Sequence, residues 1–148
     1  MPLRVRRVEG LHAAIGLALM FLAGRKPFAA FSASELARTV AGQVRRGHCL
    51  MAFEGDRIVG YLGWACFSRA DALEFRRTQV LPPESRADGT EVVWLLTAAA
   101  SAPGALRLLL SEGRARYPGW RVMGVRHQPG RGAVQFDVPI QARFKGNA

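Results

Sequence analysis

Cysteine, histidine and lysine are all scarce in this chain of 148 residues. The two cysteines, Cys49 and Cys66, have no second cysteine or histidine at the short spacing that a structural zinc site needs. This scarcity excludes zinc-finger modules and disulfide-rich folds, and we expect no metal site. We expect two free thiols in a reducing compartment. A disulfide between them is the alternative, because the strands that contain them could pair in a hairpin.

The sequence also lacks an apolar run long enough to span a bilayer. The longest run, 11–23, is shorter than the roughly 20 residues that a membrane helix needs. Arginines in residues 1–10 give the outline of an export signal, but Arg25 and Lys26 directly after the run are untypical of one. We therefore expect a buried or interfacial helix in a cytoplasmic protein. Membrane association is the alternative, and export is less favoured.

Basic residues outnumber acidic ones by 21 to 11, which gives a net charge of +10. Because Lys26 and Lys145 are the only lysines, most of this charge is arginine, whose planar fork suits phosphate and carboxylate groups. The positive field favours an acidic protein or an anionic membrane surface as partner, unless it reflects only a bias in composition. Nucleic acid is disfavoured, because the arginines are scattered in short pairs without a recognised DNA-reading or RNA-reading motif.

Hydrophobic periodicity and turn residues predict helices first, then a hairpin, then a strand–helix–strand unit. A helix over 11–23 ends at Gly24, and a second helix, capped by Ser32 or Ser34, ends at Gly47. The other predicted elements are strands at Cys49–Phe53 and Arg57–Phe67, a helix at Ala70–Arg77, a strand at Val92–Ala99, a helix at Ala105–Arg116, and strands at Trp120–Val125 and Ala133–Val138. The prediction is an α+β fold in a single domain, 1–148, with a central, mostly antiparallel sheet. Residues 1–10 and 140–148 are expected to be flexible basic ends.

This order of elements resembles the general N-acetyltransferase (GNAT) superfamily. The resemblance implies that the strand at Val92–Ala99 diverges from its neighbour and that the pantetheine arm of an acyl donor lies in the opening. In that superfamily, backbone N–H groups in the next turn hold the pyrophosphate of coenzyme A. Here that turn is Ala100–Gly104, and its Pro103 has no N–H to donate. We therefore expect no tightly bound cofactor.

Three features resemble a narrower group, the toxin-activating lysine acyltransferases. They are the segment Gly60–Ser68 (GYLGWACFS), the spacing from Ser68 to Trp94, and the helix start Gly104-Ala105-Leu106. Members of that family are bacterial enzymes that move a fatty acyl group from acyl carrier protein to lysines of a pore-forming toxin. The resemblance implies a protein-lysine acyltransferase whose donor is acyl-loaded acyl carrier protein.

The catalytic histidine and aspartate of that family fall on Phe28 and Thr97 in this chain. Phenylalanine can neither accept a proton nor hold an acyl group, and threonine has no charge with which to stabilise an imidazolium. The loss of a general base typically costs about 10²–10⁴-fold in rate. His48 and His127, at the ends of predicted strands, are the candidates to replace the base, although histidines in such places are more often structural.

The same resemblance implies that Trp64, Ser68, Trp94 and Thr97 line the substrate site. Residue chemistry gives an alternative, in which the two tryptophans belong to the core. Ser68 would then simply cap the helix that follows it.

Two functions follow from these observations. The first is acyl transfer that depends on acyl carrier protein, with a rearranged or weakened site. The second is a non-catalytic descendant, a basic accessory or assembly subunit that binds an acidic protein, a larger complex or an anionic membrane. The arginines available for the second role include Arg4, Arg6, Arg7, Arg45, Arg46, Arg76 and Arg77. The apolar surface of Leu11–Phe21 is either core or the interface of a homodimer.

Overall fold

The computed structural model of the protein describes residues 2–82, 89–128 and 130–140. The helices are α1 (Leu11–Ala23), α2 (Ala33–Arg46), α3 (Arg69–Thr78) and α4 (Ala105–Arg116), and a short 3₁₀ turn lies at Phe28–Ala30. The strands are β1 (Leu3–Val5), β2 (Cys49–Glu54), β3 (Arg57–Phe67), β4 (Val92–Ala100), β5 (Arg121–Gln128) and β6 (Gly132–Pro139).

The strands are hydrogen-bonded in chain order in a six-stranded sheet. β1 and β2, β2 and β3, and β5 and β6 pair antiparallel, whereas β4 and β5 pair parallel. The parallel pair needs a crossover connection, which contains α4. The predicted α+β fold is therefore confirmed, with its N-terminal helices, mostly antiparallel sheet and strand–helix–strand unit.

The chain divides into two units, of which the first comprises Met1–Gly63 and Thr97–Gly113. In this unit α1 buries Ala14, Ala18 and Leu22, whose four-residue spacing places them on one helix face. The buried core that they join also contains Phe21, Phe28, Leu36, Val40, Met51, Phe53 and Tyr61. This core provides the apolar surroundings of the candidate site described below.

α2 is held by well-defined ends. Ser32 and Glu35 form a capping box, in which each side chain accepts a hydrogen bond from the other's backbone N–H. Ser32 is therefore the cap, rather than Ser34. The helix ends at Gly47, whose φ of 71° lies in the left-handed region that glycine tolerates best. These two ends fix which residues of α2 face the core.

The second unit comprises Trp64–Leu96 and Arg114–Ala148. Its buried apolar cluster contains Ala65, Phe67, Ala72, Val92, Trp94 and Met123. The parallel β4–β5 ladder runs as far as the pair Leu95–Gly124. Beyond Gly124, β5 continues its antiparallel pairing with β6 as far as Gln128. β4 itself continues to Ala100. Its last five residues, 96–100, therefore lie beyond the last described β4–β5 pair.

Several segments depart from the sequence prediction. Residues 3–5 lie in the expected flexible end 1–10, but they form β1, which pairs with β2. β5 extends to Gln128 instead of ending at Val125, because its last residues pair with β6. Of the other expected flexible end, 140–148, residues 141–148 lie outside the described residues. Ile140 is buried and donates its N–H to the Trp120 carbonyl at 2.7 Å.

Among the residues that the structure describes, no helix has both the length and the apolar character needed to cross a bilayer. α1 buries one face in the core of the first unit, while Met20 on another face is 84% exposed. Neither Cys49 nor Cys66 is in a disulfide, in agreement with the two thiols that the sequence predicts.

Candidate functional site

A buried network of three polar side chains lies in the first unit. The Tyr61 hydroxyl donates to Gln43 Oε1 at 2.6 Å, and Gln43 Nε2 donates to Thr97 Oγ1 at 2.9 Å. Gln43 and Thr97 are each 2% exposed, and Tyr61 is fully buried. Buried polar groups are costly unless they are hydrogen-bonded. The two hydrogen bonds run in one direction, from the Tyr61 hydroxyl through the Gln43 amide to the Thr97 hydroxyl.

The local sequence explains why a glutamine reaches this position. Gln43 continues the helical spacing of Leu36 and Val40, so it lies on the buried face of α2. Opposite it on β3 is Gly63, where an added Cβ would lie only 2.0 Å from Gln43 Oε1. The missing side chain of Gly63 is therefore the space that the Gln43 amide occupies. A larger residue at position 63 would displace the amide from both of its hydrogen bonds.

The network is electrically neutral near physiological pH. Burial raises the pKa of the Tyr61 hydroxyl well above its usual range, and the nearby Cys49 thiol raises it further. Gln43 and Thr97 do not titrate. The network can therefore donate and orient hydrogen bonds, but it cannot accept a proton from an ammonium group near neutral pH.

The hydroxyl hydrogen of Thr97 is the open end of this network. Thr97 Oγ1 accepts from Gln43, and a hydroxyl can both accept and donate. Within the described part of the chain, the Thr97 hydroxyl donates to no protein group. It can therefore donate to a ligand atom beside β4.

Phe28, which the sequence resemblance aligns with a catalytic histidine, lies in the 3₁₀ turn between α1 and α2. It is 6% exposed and packs edge-on against Phe31, with ring centroids 5.7 Å apart. It belongs to the same apolar core as Tyr61. At this position the chain therefore provides an apolar wall and no acid–base group.

The first unit also contains an open cavity of about 390 Å³, lined by Leu17, Met20, Phe21, Gly24, Arg25 and Ile58. Arg25 stacks on the Phe21 ring, with its guanidinium carbon 4.2 Å from the ring centroid. Its Nε atom is buried and has no hydrogen-bond partner among the described residues. An apolar ligand with an acceptor oxygen would match this lining.

The structure gives Trp64, Ser68 and Trp94, in the second unit, clear packing or capping contacts. Trp64 Nε1 donates to the Tyr117 hydroxyl at 2.9 Å, and Trp94 packs edge-on against Phe75 with centroids 4.8 Å apart. Ser68 caps α3 by accepting from a backbone N–H at 3.1 Å. These contacts match the structural alternative considered for all three residues, and a role in substrate binding stays a prediction.

Of the two candidate replacement histidines, His48 lies just before its strand, as predicted, whereas His127 lies within the longer β5. His48 is partly buried just before β2, and its backbone N–H donates to the Gln43 carbonyl at 2.9 Å. His127 lies in β5 opposite Ala133. The structure does not describe the His127 side chain, so its catalytic role stays a prediction.

The turn between β4 and α4 offers few free backbone donors. The Ser101 N–H is bonded to the Val59 carbonyl at 2.8 Å, and the Ala105 N–H to the Ala102 carbonyl at 3.2 Å. Pro103 has no N–H. Ser101, Pro103 and Ala105 therefore have no free backbone N–H to offer to an anion. The absence of a tightly bound coenzyme A stays a prediction.

Gln43, Tyr61 and Arg25 were not among the site residues predicted from the sequence. The signal for Gln43 was present, since it is a polar residue at the buried spacing of α2 and a glycine occupies the opposite strand. Among the described residues, no three His, Cys, Asp or Glu side chains lie together as a metal site would require.

No protein-family model and no curated protein sequence matches this chain. Solved structures do match. The GphF GNAT-like decarboxylase, in complex with isobutyryl-CoA, is 21% identical over 84% of this chain and 65% of its own, with a TM-score of 0.58. The loading GNATL domain of CurA from Lyngbya majuscula is 19% identical over 87% of this chain and 68% of its own, with a TM-score of 0.56.

An apo-form mutant of agmatine N-acetyltransferase is 15% identical over 86% of this chain and 77% of its own, with a TM-score of 0.55. At such identities a structural likeness shows the fold and nothing finer. The chain therefore has a GNAT-like α+β fold.

Proposed function

We propose that this protein binds an acyl thioester beside the C-terminal half of β4 and transfers its acyl group to a nucleophile. The observation that carries the proposal is the Thr97 hydroxyl, which is oriented by Gln43 and has a hydrogen left to donate. Thr97 is the second residue after the last β4–β5 register pair at Leu95. A hydroxyl held in this way can donate to the carbonyl oxygen of a thioester.

The chemistry assigned to Thr97 is stabilisation of negative charge. When a nucleophile attacks the thioester carbonyl, a carbon–nucleophile bond forms and negative charge develops on the oxygen. The tetrahedral intermediate then collapses, the carbon–sulfur bond breaks, and the thiolate leaves. A preorganised donor at the oxygen typically contributes about 10²–10³-fold in rate. Because the network contains no base, the proton of the nucleophile passes to solvent, and slow turnover is expected.

A carrier protein is the proposed donor, for two reasons. The turn at Ala100–Gly104 has few free N–H groups for a pyrophosphate, as described above. In addition, a net charge of +10 suits an acidic carrier. One structural neighbour supports an acyl-thioester ligand in this fold, the GNAT-like decarboxylase in complex with isobutyryl-CoA. A protein lysine is the proposed acceptor, by resemblance to the toxin-activating enzymes.

One observation favours a second candidate, a non-catalytic protein that binds the acyl donor. Phe28, which the resemblance aligns with the catalytic base, is a buried ring, and Tyr61 cannot ionise near neutral pH. A protein with these residues could hold an acyl-loaded carrier within a larger assembly without releasing the acyl group. The two candidates share the binding site and differ only in turnover.

The test is incubation of the purified protein with a panel of acyl-loaded carrier proteins, followed by mass spectrometry of donor, acceptor peptide and protein. We expect acyl transfer or self-acylation above a protein-free control. The rate should fall at least about tenfold in Thr97→Val and be retained in Thr97→Ser. Thr39→Val, the same change on α2 outside the network, is the matched control. His48→Ala and His127→Ala test the two replacement bases.

Each outcome separates the candidates. Turnover that depends on Thr97 supports the acyltransferase. Saturable carrier binding without turnover establishes the second candidate and excludes the first. If no acyl thioester binds, both are excluded.

A further inference from the structure

Three arginines converge on one carboxylate in the second unit. Arg121 donates through Nε to Asp137 Oδ1 at 2.7 Å and through Nη2 to the Asp137 carbonyl oxygen at 3.2 Å. Arg69 Nη1 lies 2.9 Å from Asp137 Oδ2, and Arg76 Nη1 lies 4.0 Å from the same oxygen. We call these four residues the Asp137 cluster. It is independent of the Thr97 network, which lies in the first unit.

Local structure brings the cluster together. Arg69 and Arg76 are two turns apart on α3, so they lie on one face of the helix, whereas Asp71 lies on another face. Arg121 begins β5, and Asp137 lies near the end of its antiparallel partner β6. The second unit thus places cations from a helix and a strand around a carboxylate on a neighbouring strand.

The cluster has more positive charge than Asp137 can balance. Three guanidinium groups face one carboxylate, which leaves two positive charges in excess. Arg76 lies 4.0 Å from the carboxylate, which is beyond hydrogen-bond distance. Because each guanidinium has five N–H donors, Asp137 does not use all the donors that face it. Asp137 is 17% exposed at its side chain, but Arg69, Arg76 and Arg121 are 37%, 38% and 40% exposed. The carboxylate is therefore covered, while the arginine forks remain accessible.

We propose that the Asp137 cluster binds a dianionic phosphate group. A dianion matches the excess charge, and the planar fork of arginine pairs with phosphate oxygens through two parallel hydrogen bonds. An extended acidic protein surface would match arginines spread over a face. Here three arginines approach one carboxylate within 4.0 Å, a convergence that suits a single compact anion. The phosphate belongs either to a soluble monoester or to a phospholipid headgroup, which share this chemistry.

The test uses the intact protein and glycerol 3-phosphate, a soluble phosphate monoester that is mostly dianionic at about pH 8. Binding is measured by calorimetry at low millimolar concentrations, with ionic strength held constant by sodium chloride. We expect saturable binding that weakens about tenfold in Arg76→Gln. Arg77→Gln removes the same charge from the next residue, which pairs with Glu74 instead, and should leave binding unchanged. Arg76→Lys keeps the charge but loses the fork, so its affinity should fall between the two.

Equal losses in Arg76→Gln and Arg77→Gln would overturn the proposal, since binding would then reflect the overall positive field. The proposal would also be overturned if the unaltered protein bound neither glycerol 3-phosphate saturably nor phosphatidic acid vesicles. The phosphate is assigned to a lipid headgroup if the protein sediments with phosphatidic acid vesicles but not with phosphatidylcholine vesicles, and if Arg76→Gln abolishes this sedimentation. Binding of glycerol 3-phosphate without sedimentation assigns it to a soluble monoester.

Discussion

Gly63 determines whether the Thr97 network can form. An added Cβ would lie 2.0 Å from Gln43 Oε1 and 2.4 Å from the amide carbon. We expect Gly63→Ala to lower the free energy of unfolding by about 1–3 kcal/mol, because the amide must leave a packed interior position. Urea denaturation of the purified variant measures this change.

Gly113→Ala on α4 is the control for this substitution. Its added Cβ would meet Leu62 Cδ2 at an ordinary 3.6 Å, and alanine favours a helix over glycine by about 0.8–1.0 kcal/mol. We expect it to be neutral or stabilising. Equal stability of the two variants would mean that Gln43 does not occupy the space at Gly63.

The single residues of the site differ in how well they could be predicted. Ser32 and Ser68 cap helices as their local sequences indicate, because capping depends on neighbours three residues away. The Thr97 network could not be predicted in the same way. Its partners are 18 and 54 residues apart in the chain, and only the packing of α2 on the sheet brings them together.

At the scale of elements, Ser68 tests whether a family resemblance or local chemistry assigns its role. Its hydroxyl accepts from the Asp71 N–H at 3.1 Å at the start of α3. We expect Ser68→Ala to cost about 1 kcal/mol of stability and Ser68→Asp, which can also cap, to restore most of it. Thermal unfolding measures both. A folded Ser68→Asp variant that no longer binds the acyl donor would instead support the substrate-site role.

The Asp137 cluster ties α3 to the β5–β6 pair. Burial raises the pKa of Asp137, but hydrogen bonds from Arg121 and Arg69 outweigh it and hold the pKa below its usual value. A lowered carboxyl pKa contributes stability above the pKa of the unfolded chain, about 3.9, and that contribution is lost as the pH falls through the folded value. We expect Asp137→Asn to lower the free energy of unfolding by about 1–2 kcal/mol at neutral pH. This value allows for the screening of the partly exposed arginines by solvent.

Urea denaturation of both proteins at pH values from about 2 to 7 checks this expectation. The difference between them should shrink as the pH falls below about 3.9. Glu74→Gln, which removes the exposed partner of Arg77, is the control and should have a smaller effect. A pH-independent difference would mean that Asp137 acts by shape and not by charge.

Elements with an apolar pattern between turn residues were predicted well, and the three-residue strand β1 was missed. The bounds of α1, β3 and α4 agree with the sequence prediction, because each has an apolar pattern bounded by turn residues. β1 has only three residues and exists because β2 offers it an edge, which no local pattern shows.

At the scale of the whole molecule, the net charge of +10 predicts how a carrier protein would bind. Association with an acidic carrier should weaken at least about tenfold between about 50 mM and 500 mM sodium chloride, mainly through a slower association rate. Surface plasmon resonance with an acyl-loaded carrier measures both rates. An affinity that does not change with salt would indicate docking through apolar residues, of which Met20 is the most exposed.

The fold was more predictable than the chemistry. The predicted order of helices, hairpin and strand–helix–strand unit resembles the GNAT layout, and the similarity to solved structures confirms a GNAT-like fold. The chemistry depends on a few positions, and at two of them, Phe28 and Thr97, the resemblance to the toxin-activating enzymes predicts acid–base residues that this sequence does not have. The fold therefore does not assign the function, which depends on the site, where the Thr97 hydroxyl accepts a hydrogen bond from Gln43 and keeps a hydrogen to donate.

The central claim, that an acyl thioester binds beside the C-terminal half of β4, is tested most directly by amide hydrogen exchange with and without an acyl-loaded carrier protein. We predict that Thr97 to Ala100 exchange more slowly in the presence of the donor, while α3 is unchanged. The Thr97→Val variant should show less protection at the same donor concentration. Donor binding that leaves Thr97 to Ala100 unprotected, or protects another part of the chain instead, would contradict the claim.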